Sequence, residues 1–220
     1  MDIEPHKTYA VISGDIIGSS KLPPDARADL PNVMKHASSE LRALLAQSVP
    51  LNVDIYAGDS WQLLVNEPGD ALRAAVFYRA SILAATDRKV DTRLVIALGT
   101  IDFVPGERVS EGDGEAFRLS GLTLAETGKR QRMRFAADSP DRDYWDVMIG
   151  LLDAIMRRWS TKQTQAVLGV LQGRSPAEIA AHANPPVERQ TASKLLDSAS
   201  WESMERTLDL FQKSYNTTNG

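Results

Sequence analysis

The sequence predicts an α+β chain built in two parts, and three observations carry that prediction. Short β-rich runs alternate with amphipathic helical runs through the first 138 residues. A polar, turn-forming stretch, Asp138-Ser139-Pro140-Asp141, then interrupts the chain. Beyond it every apolar pattern has helical spacing and no strand signal returns. The expected division is a first domain over 1–138, a connector helix over 139–159 and an all-α domain over 160–215.

In order along the chain, Thr8–Ile12 (TYAVI) reads as a buried first strand that stops at Ser13-Gly14-Asp15. Gly18-Ser19-Ser20 breaks the chain before an amphipathic helix from about Asp25 to Gln47. Its apolar positions are Leu30, Val33, Met34, Leu41, Leu44 and Leu45, and Pro31 is expected to disturb or restart its first turns. Leu51–Tyr56 alternates as a strand, Ala57-Gly58-Asp59-Ser60 is a hairpin signal, and Trp61–Val65 is the return strand. A second helix is expected over Pro68–Thr86, and another strand over Thr92–Leu98, closed by Gly99. Thr100–Gly114 is irregular and acidic, Glu115–Lys129 fits a third helix, and Met133–Ala137 a last strand. The resulting β-α-β-β-α-β order, with elements appended, is the ferredoxin-like arrangement. Tyr144–Trp159 has Trp145, Met148, Leu151, Leu152, Ile155 and Met156 at helical spacing and forms the connector.

Composition narrows the function classes. The 220 residues are 43% hydrophobic and 25% charged, as in ordinary globular proteins. There is no cysteine, which removes disulfide and thiolate chemistry and fits a reducing cytoplasm. The start is too polar for a signal peptide, and no apolar run reaches the length of a membrane span. A net charge of −4 argues against a nucleic-acid-coating role. From Met156 onward, however, eight Lys/Arg face six Asp/Glu, so a mildly basic tail follows an acidic body.

That tail has clear helix punctuation. Ser160-Thr161-Lys162-Gln163 is a capping box for a helix ending near Leu171, before Gly173. Ser175-Pro176-Ala177-Glu178 is a stronger one, with serine at the N-cap, proline at the first helical position and glutamate three residues on. The helix it opens, PAEIAAHA, ends at Asn184-Pro185-Pro186, with His182 as a C-terminal capping residue. The next helix begins near Val187 and turns Leu195 and Leu196 inward. This unit resembles helix-turn-helix domains of the sigma-region-four and response-regulator kind. The resemblance makes the third helix the recognition helix, with Arg189, Gln190, Thr191, Ser193 and Lys194 as DNA-binding residues. Three-helix units of this shape also serve as protein-interaction modules, and both readings stand at this point. Trp201–Phe211 closes the domain as an amphipathic helix whose Trp201, Met204, Leu208 and Phe211 suit a core or a dimer seam.

The sharper chemistry lies in the first domain. Asp15 follows the first strand, and Asp59 sits in the hairpin between the second and third. In a ferredoxin-like sheet those strands are neighbours, so both carboxylates emerge at one end. Two close carboxylates repel unless a cation neutralises them, and Mg²⁺ (or Mn²⁺) binds such a pair together with phosphate oxygens. Gly18, Ser19 and Ser20 offer backbone N–H groups to phosphates at a helix start, and Gly58 lies beside Asp59. A nucleotide with Mg²⁺ is therefore the expected ligand. The plainer reading makes both Gly-Asp pairs turn and capping residues.

The motifs VISGDIIGSSKL, AGDSWQLLV, RLVIALGTI and GDGEAFRLSGLTL, in this order, resemble the SatD family over roughly Tyr9–Leu124. They are more remotely similar to the palm domains of class III nucleotidyl cyclases and diguanylate cyclases. The resemblance implies a palm fold, with Asp15 and Asp59 as metal ligands and the Ile16 carbonyl as a third. Against the cyclase pattern, the Asn and Arg positions counted from Gly114 are Arg118 and Leu122. The residues after Asp59 are Ser60 and Trp61, so the dinucleotide-synthesis signature is also broken. Arg118 remains a candidate for nucleotide phosphate. So does Arg93, while Lys129, Arg130, Arg132 and Arg134 read more simply as a solvated basic stripe.

The leading expectation is a cytoplasmic one-component regulator, its palm binding nucleotide with Mg²⁺ and its tail binding DNA or a partner. The alternatives are a divergent nucleotidyl cyclase or small nucleotide polymerase, and an interaction protein with neither activity. Cyclase-like palms work as symmetric dimers, and the seam offered by Trp201–Phe211 leads to the expectation of a homodimer.

Overall fold

The computed structural model describes residues 3–128 and 130–216, so Lys129 of the candidate basic stripe lies outside the described residues. It is a mixed α+β molecule with one five-stranded sheet and, among the described residues, eight α-helices. The strands are β1 (Tyr9–Ile16), β2 (Asp54–Tyr56), β3 (Ser60–Val65), β4 (Thr92–Gly99) and β5 (Met133–Ala136), in the spatial order β2-β3-β1-β4-β5. Central β1 runs antiparallel to both β3 and β4, and β5 lies parallel to β4 at the edge. The first helices are α1 (Pro24–Leu44), α2 (Ala71–Ala85) and α3 (Glu115–Glu126).

Successive strand side chains point to opposite faces, and β1 shows it residue by residue. Ala10 and Ile12 enter the core shared with α1 and α2, whereas Tyr9 and Val11 pack with Ala116 and Phe117 of α3. Ser13, on the α3 face, is buried and exchanges a hydrogen bond with Ser120, Oγ to Oγ 2.8 Å. Asp15 is next on that face, at the strand's open end.

Three local expectations change. Strand β1 does not stop at Ser13-Gly14-Asp15: all three stay in the ladder, paired with β3 and β4, and the strand runs on to Ile16. Helix α1 runs unbroken through Pro31. The carbonyl left without a donor is that of exposed Arg27, while Leu30, Met34 and Leu41 stay buried and hold the helix on the sheet. Strand β2 is shorter than the expected Leu51–Tyr56, because the Ser38 hydroxyl takes the Val53 N–H at 2.8 Å and removes it from the ladder.

Helix α2 is buried almost all round, with Leu72, Val76, Phe77 and Ile82 inaccessible or nearly so. It has the sheet on one side and the carboxyl-terminal helices on the other. Those are α4 (Arg142–Met156), α5 (Thr161–Leu171), α6 (Pro176–His182), α7 (Arg189–Ser198) and α8 (Trp201–Asn216). Helix α5 packs on α2, and Phe211 of α8 meets Trp145 of α4 edge-on at 4.9 Å and Phe135 of β5 at 5.8 Å. One apolar core therefore continues from the sheet into the helical tail.

This packing overturns the proposed dimer seam. Trp201, Met204, Leu208 and Phe211 are each at most 7% exposed within a single chain. An apolar face already spent on its own core has nothing left to offer a second copy. Among the described residues, no helix is long and apolar enough to cross a membrane.

Candidate functional site

The open end of β1 forms a cleft of about 490 Å³, lined by Asp15 to Lys21, Asp59, Arg93, Gly128, Gln131 and Arg132. Strand register builds it. Asp15 stands opposite Arg93 of β4 on one side and Ser60 of β3 on the other, and directly opposed residues share a face with their Cβ atoms about 5 Å apart. The Ile16 N–H donates to the Asp59 carbonyl at 3.1 Å, and the Ile17 N–H to the Asp91 carbonyl at 2.9 Å. The hairpin and the entry to β4 are thereby tied to the loop after β1. In the hairpin, Ala57 and Gly58 both have positive φ, 48° and 88°, which turns the chain and delivers Asp59.

Gly14 is required by a close approach. The Trp61 indole lies over it, and a Cβ there would come within 2.5 Å of the ring. The indole N–H donates to Thr92 Oγ1 at 3.0 Å, and that hydroxyl donates to the Asp15 carbonyl at 2.7 Å. The Gly-Asp pair thus divides its work: glycine admits the indole and aspartate supplies the carboxylate.

The electrostatic centre is Arg93. Its Nε reaches Asp15 Oδ1 at 2.7 Å and Oδ2 at 2.9 Å, and its Nη2 reaches Oδ2 at 2.7 Å. Its Nη1 donates to the Thr127 carbonyl at 2.9 Å, just beyond the end of α3. The Asp15 hydrogen bonds raise the Arg93 pKa; burial opposes this, and the charges of Asp15 and Asp59 add to it. Asp59 in turn accepts a short hydrogen bond from the Ser19 hydroxyl.

The expected metal ligands Asp15, Ile16 and Asp59 therefore share one cleft with Gly18, Ser19 and Ser20. The arrangement does not fit a resident divalent ion. Both Asp15 oxygens are occupied by a fixed guanidinium, which brings positive charge to the place a cation would take. Among the described residues, no cluster of three His, Asp or Glu side chains forms a metal-binding group.

The helix start expected after Gly18 is a short turn of its own, separate from α1. Ser19–Lys21 form a separate 3₁₀ turn after Gly18, whose φ is +70°, and α1 starts only at Pro24 behind Pro23. Prolines carry no N–H, so that helix start presents few donors. Gly58 and Arg118 fall outside the cleft lining. Arg118 is on the first turn of α3, which follows the far end of β4, and is paired with Asp113 at 2.9 Å and Asp102 at 3.7 Å. Of the basic stripe, Arg130 is exposed as expected, whereas Arg132 pairs with Asp91 and Arg134 forks onto Asp146 at 2.8 and 3.0 Å.

Behind the cleft lies a buried ion cluster that sequence reading missed. Arg79 of α2 is wholly inaccessible, and its guanidinium holds Asp91 at 2.8 and 3.0 Å and Asp153 of α4 at 2.8 Å. Burial alone would raise the Asp91 pKa, but the hydrogen bonds and charges of Arg79 and Arg132 outweigh it and hold the carboxyl below its ordinary value. Asp153 also accepts the Arg132 backbone N–H at 2.9 Å. Arg88 extends this polar network to the tail, donating to Thr164 Oγ1 of α5 at 3.2 Å.

No family model matches the sequence, and no curated protein does. Among solved structures, the chain is similar over 58% of its length to the guanylyl cyclase Cya2, with 12% identity, a TM-score of 0.41 and 74% of that chain covered. It is likewise similar over 58% of its length to a bacterial light-regulated adenylyl cyclase, with 15% identity, a TM-score of 0.39 and 74% of that chain covered.

In the tail, the side chain of Ser160 caps the Gln163 N–H and Gln163 caps back; Ser175 and Glu178 do the same. His182 places Nδ1 2.8 Å from the Glu178 carbonyl in the last turn of α6. On α7, Arg189, Gln190, Thr191 and Lys194 are exposed and Ser193 is half-buried, while Ala192 and Leu196 face the core. Neither Arg189 nor Lys194 has an ion pair among the described residues. Glu188 shares their shallow concavity and reduces its positive charge.

Proposed function

We propose that this chain is a one-component regulator whose sheet-end cleft binds the phosphate part of a nucleotide and whose α5–α7 unit, as a helix-turn-helix, contacts DNA or a partner. The observation that carries the reading is the convergence of Lys21, Arg93 and Arg132 with the Gly18–Ser20 turn around Asp15 and Asp59. Cationic side chains and hydroxyls in a half-open cleft are the groups that phosphate recognition uses. The SatD-like motifs fall on these same segments.

Mg²⁺ or Mn²⁺ accompanying a triphosphate meets the Arg93 charge at Asp15, so we assign the site to binding ahead of synthesis. Ligand binding acts on the tail if it favours one placement of α2 and α5, which requires unequal affinity for two arrangements. The Arg79, Asp91, Asp153 and Arg88 contacts provide the physical link. Calorimetry with ATP, GTP and cyclic nucleotides tests the cleft; an absence of heat with every nucleotide sinks the reading. For the tail, a gel shift on the chain's own upstream DNA is expected, weakened by Arg189→Ala and by Lys194→Ala. A shift indifferent to both removes α7 as the contact helix.

A further inference from the structure

Helix α4 carries apolar residues on two faces, and the chain covers only one of them. Trp145, Ile149, Leu152 and Met156 enter the core. Tyr144, Val147 and Leu151, spaced i, i+3 and i+7 and so aligned along another side of the helix, are 51, 64 and 56% exposed. Half-buried Ala154 continues that line toward the carboxyl end. No other helix among the described residues exposes more than one large apolar side chain. A contiguous apolar stripe left in water marks an interaction surface.

The charges at its two ends indicate what covers it. Asp143 is in the first turn of α4 and Arg158 lies just past the last. Both are exposed, and neither has an ion pair among the described residues. Helical register puts both beside the apolar stripe, about 22 Å apart along the axis. The neighbouring charges are turned elsewhere: Arg142 is by register on the side away from the stripe, Asp146 is held by Arg134, and Arg157 lies 3.6 Å from Asp153. Two α4 helices laid in the same direction would set aspartate on aspartate and arginine on arginine. Laid antiparallel about a two-fold axis near Gly150 and Leu151, Asp143 of each copy meets Arg158 of the other, once at each end. The same register sets Val147 against Ala154, whose small side chain lets the helices close.

From this we infer that the outer face of α4 is the surface on which two copies of this chain associate, antiparallel and two-fold symmetric. The interface is isologous, so each residue contact occurs twice. A single helix pair falls in the class below about 1,200 Å² of total buried surface, where association is weak and reversible. The inference is independent of the nucleotide and DNA readings above. It also differs from the seam expected on α8, whose stripe is spent on the core.

Sedimentation velocity of the full chain at low salt, from about 1 μM to about 300 μM, tests it. Wild type is expected to pass from monomer to dimer over that range. Val147→Asp and Leu151→Asp, both at exposed positions, are expected to keep the wild-type thermal melt and remain monomeric. Asp143→Arg and Arg158→Asp should each weaken the dimer by about fivefold or more, since the symmetry doubles every charge contact. The double reversal Asp143→Arg/Arg158→Asp should restore it.

A wild type that stays monomeric throughout overturns a second copy as the occupant and leaves the face to lipid or to a different protein. A dimer that persists in both Val147→Asp and Leu151→Asp forms elsewhere and overturns the inference. A dimer lost in those variants, weakened by each single reversal and not restored by the double one, overturns the antiparallel pairing.

Discussion

The end of β1 and the face of α7 carry the same kinds of side chain, and the molecule treats them in opposite ways. At the sheet end, the carboxylates and most cations answer one another inside the chain: Arg93 on Asp15, Arg132 on Asp91, Arg79 on Asp91 and Asp153. On α7, Arg189 and Lys194 point into water with no ion pair among the described residues. A preorganised and partly desolvated network restricts its ligand by charge and shape, because any new ion must displace a partner. A solvated face restricts nothing by itself, and its selectivity has to come from the surface it meets. Removing a group should therefore cost folding stability at the first region and only binding at the second.

The largest effect that can break this contrast is at Arg79. Arg79→Leu leaves Asp91 and Asp153 buried without their cation, and a loss of about 3–5 kcal/mol is expected in denaturant unfolding. Since one core joins the sheet to the tail, that unfolding should remain a single transition; two separate transitions would divide the molecule where the packing does not.

The same cluster sets an acid limit. Asp91 is held below the ordinary carboxylate range, so its contribution is present above the unfolded value of about 4 and is lost as pH falls through the lower folded value. Stability should fall steeply below about pH 4, and Asp91→Asn, less stable at neutral pH, should flatten that fall in a pH series of thermal melts.

A smaller loss, about 1 kcal/mol, is expected for Ser175→Ala, which removes the α6 cap. It should leave nucleotide calorimetry unchanged, and a change there would show the two regions to be coupled through α6. At the bottom of the scale, Arg189→Ala and Lys194→Ala should alter stability by less than about 0.5 kcal/mol while weakening any DNA complex. Loss of stability in either would mean that α7 is built like the sheet end after all.

Much of this contrast was legible in residue order. Both capping boxes and the Ala57-Gly58-Asp59 hairpin are local devices, acting within a few residues, and each forms where its residue types require it. The burial of Trp201, Met204, Leu208 and Phe211 was legible as an apolar stripe, but not what covers it. A stripe states that a face avoids water and is silent on whether the cover comes from the same chain. Arg93 could have been found as the cation opposite Asp15, had the register of β1 on β4 been known. Arg79 left no local trace in a run of apolar helix.

The sequence by itself determined the elements, their order, and which ends of them carry charge, because hydrogen bonding and hydrophobic periodicity act over short spans of chain. Only the tertiary structure decided that an arginine 78 positions from Asp15 closes on it, and that the tail's apolar stripe is spent on Trp145 and Phe135. Electrostatic and packing partners are chosen by distance in space. Strand register and helix docking, which set those distances, are properties of the assembled fold.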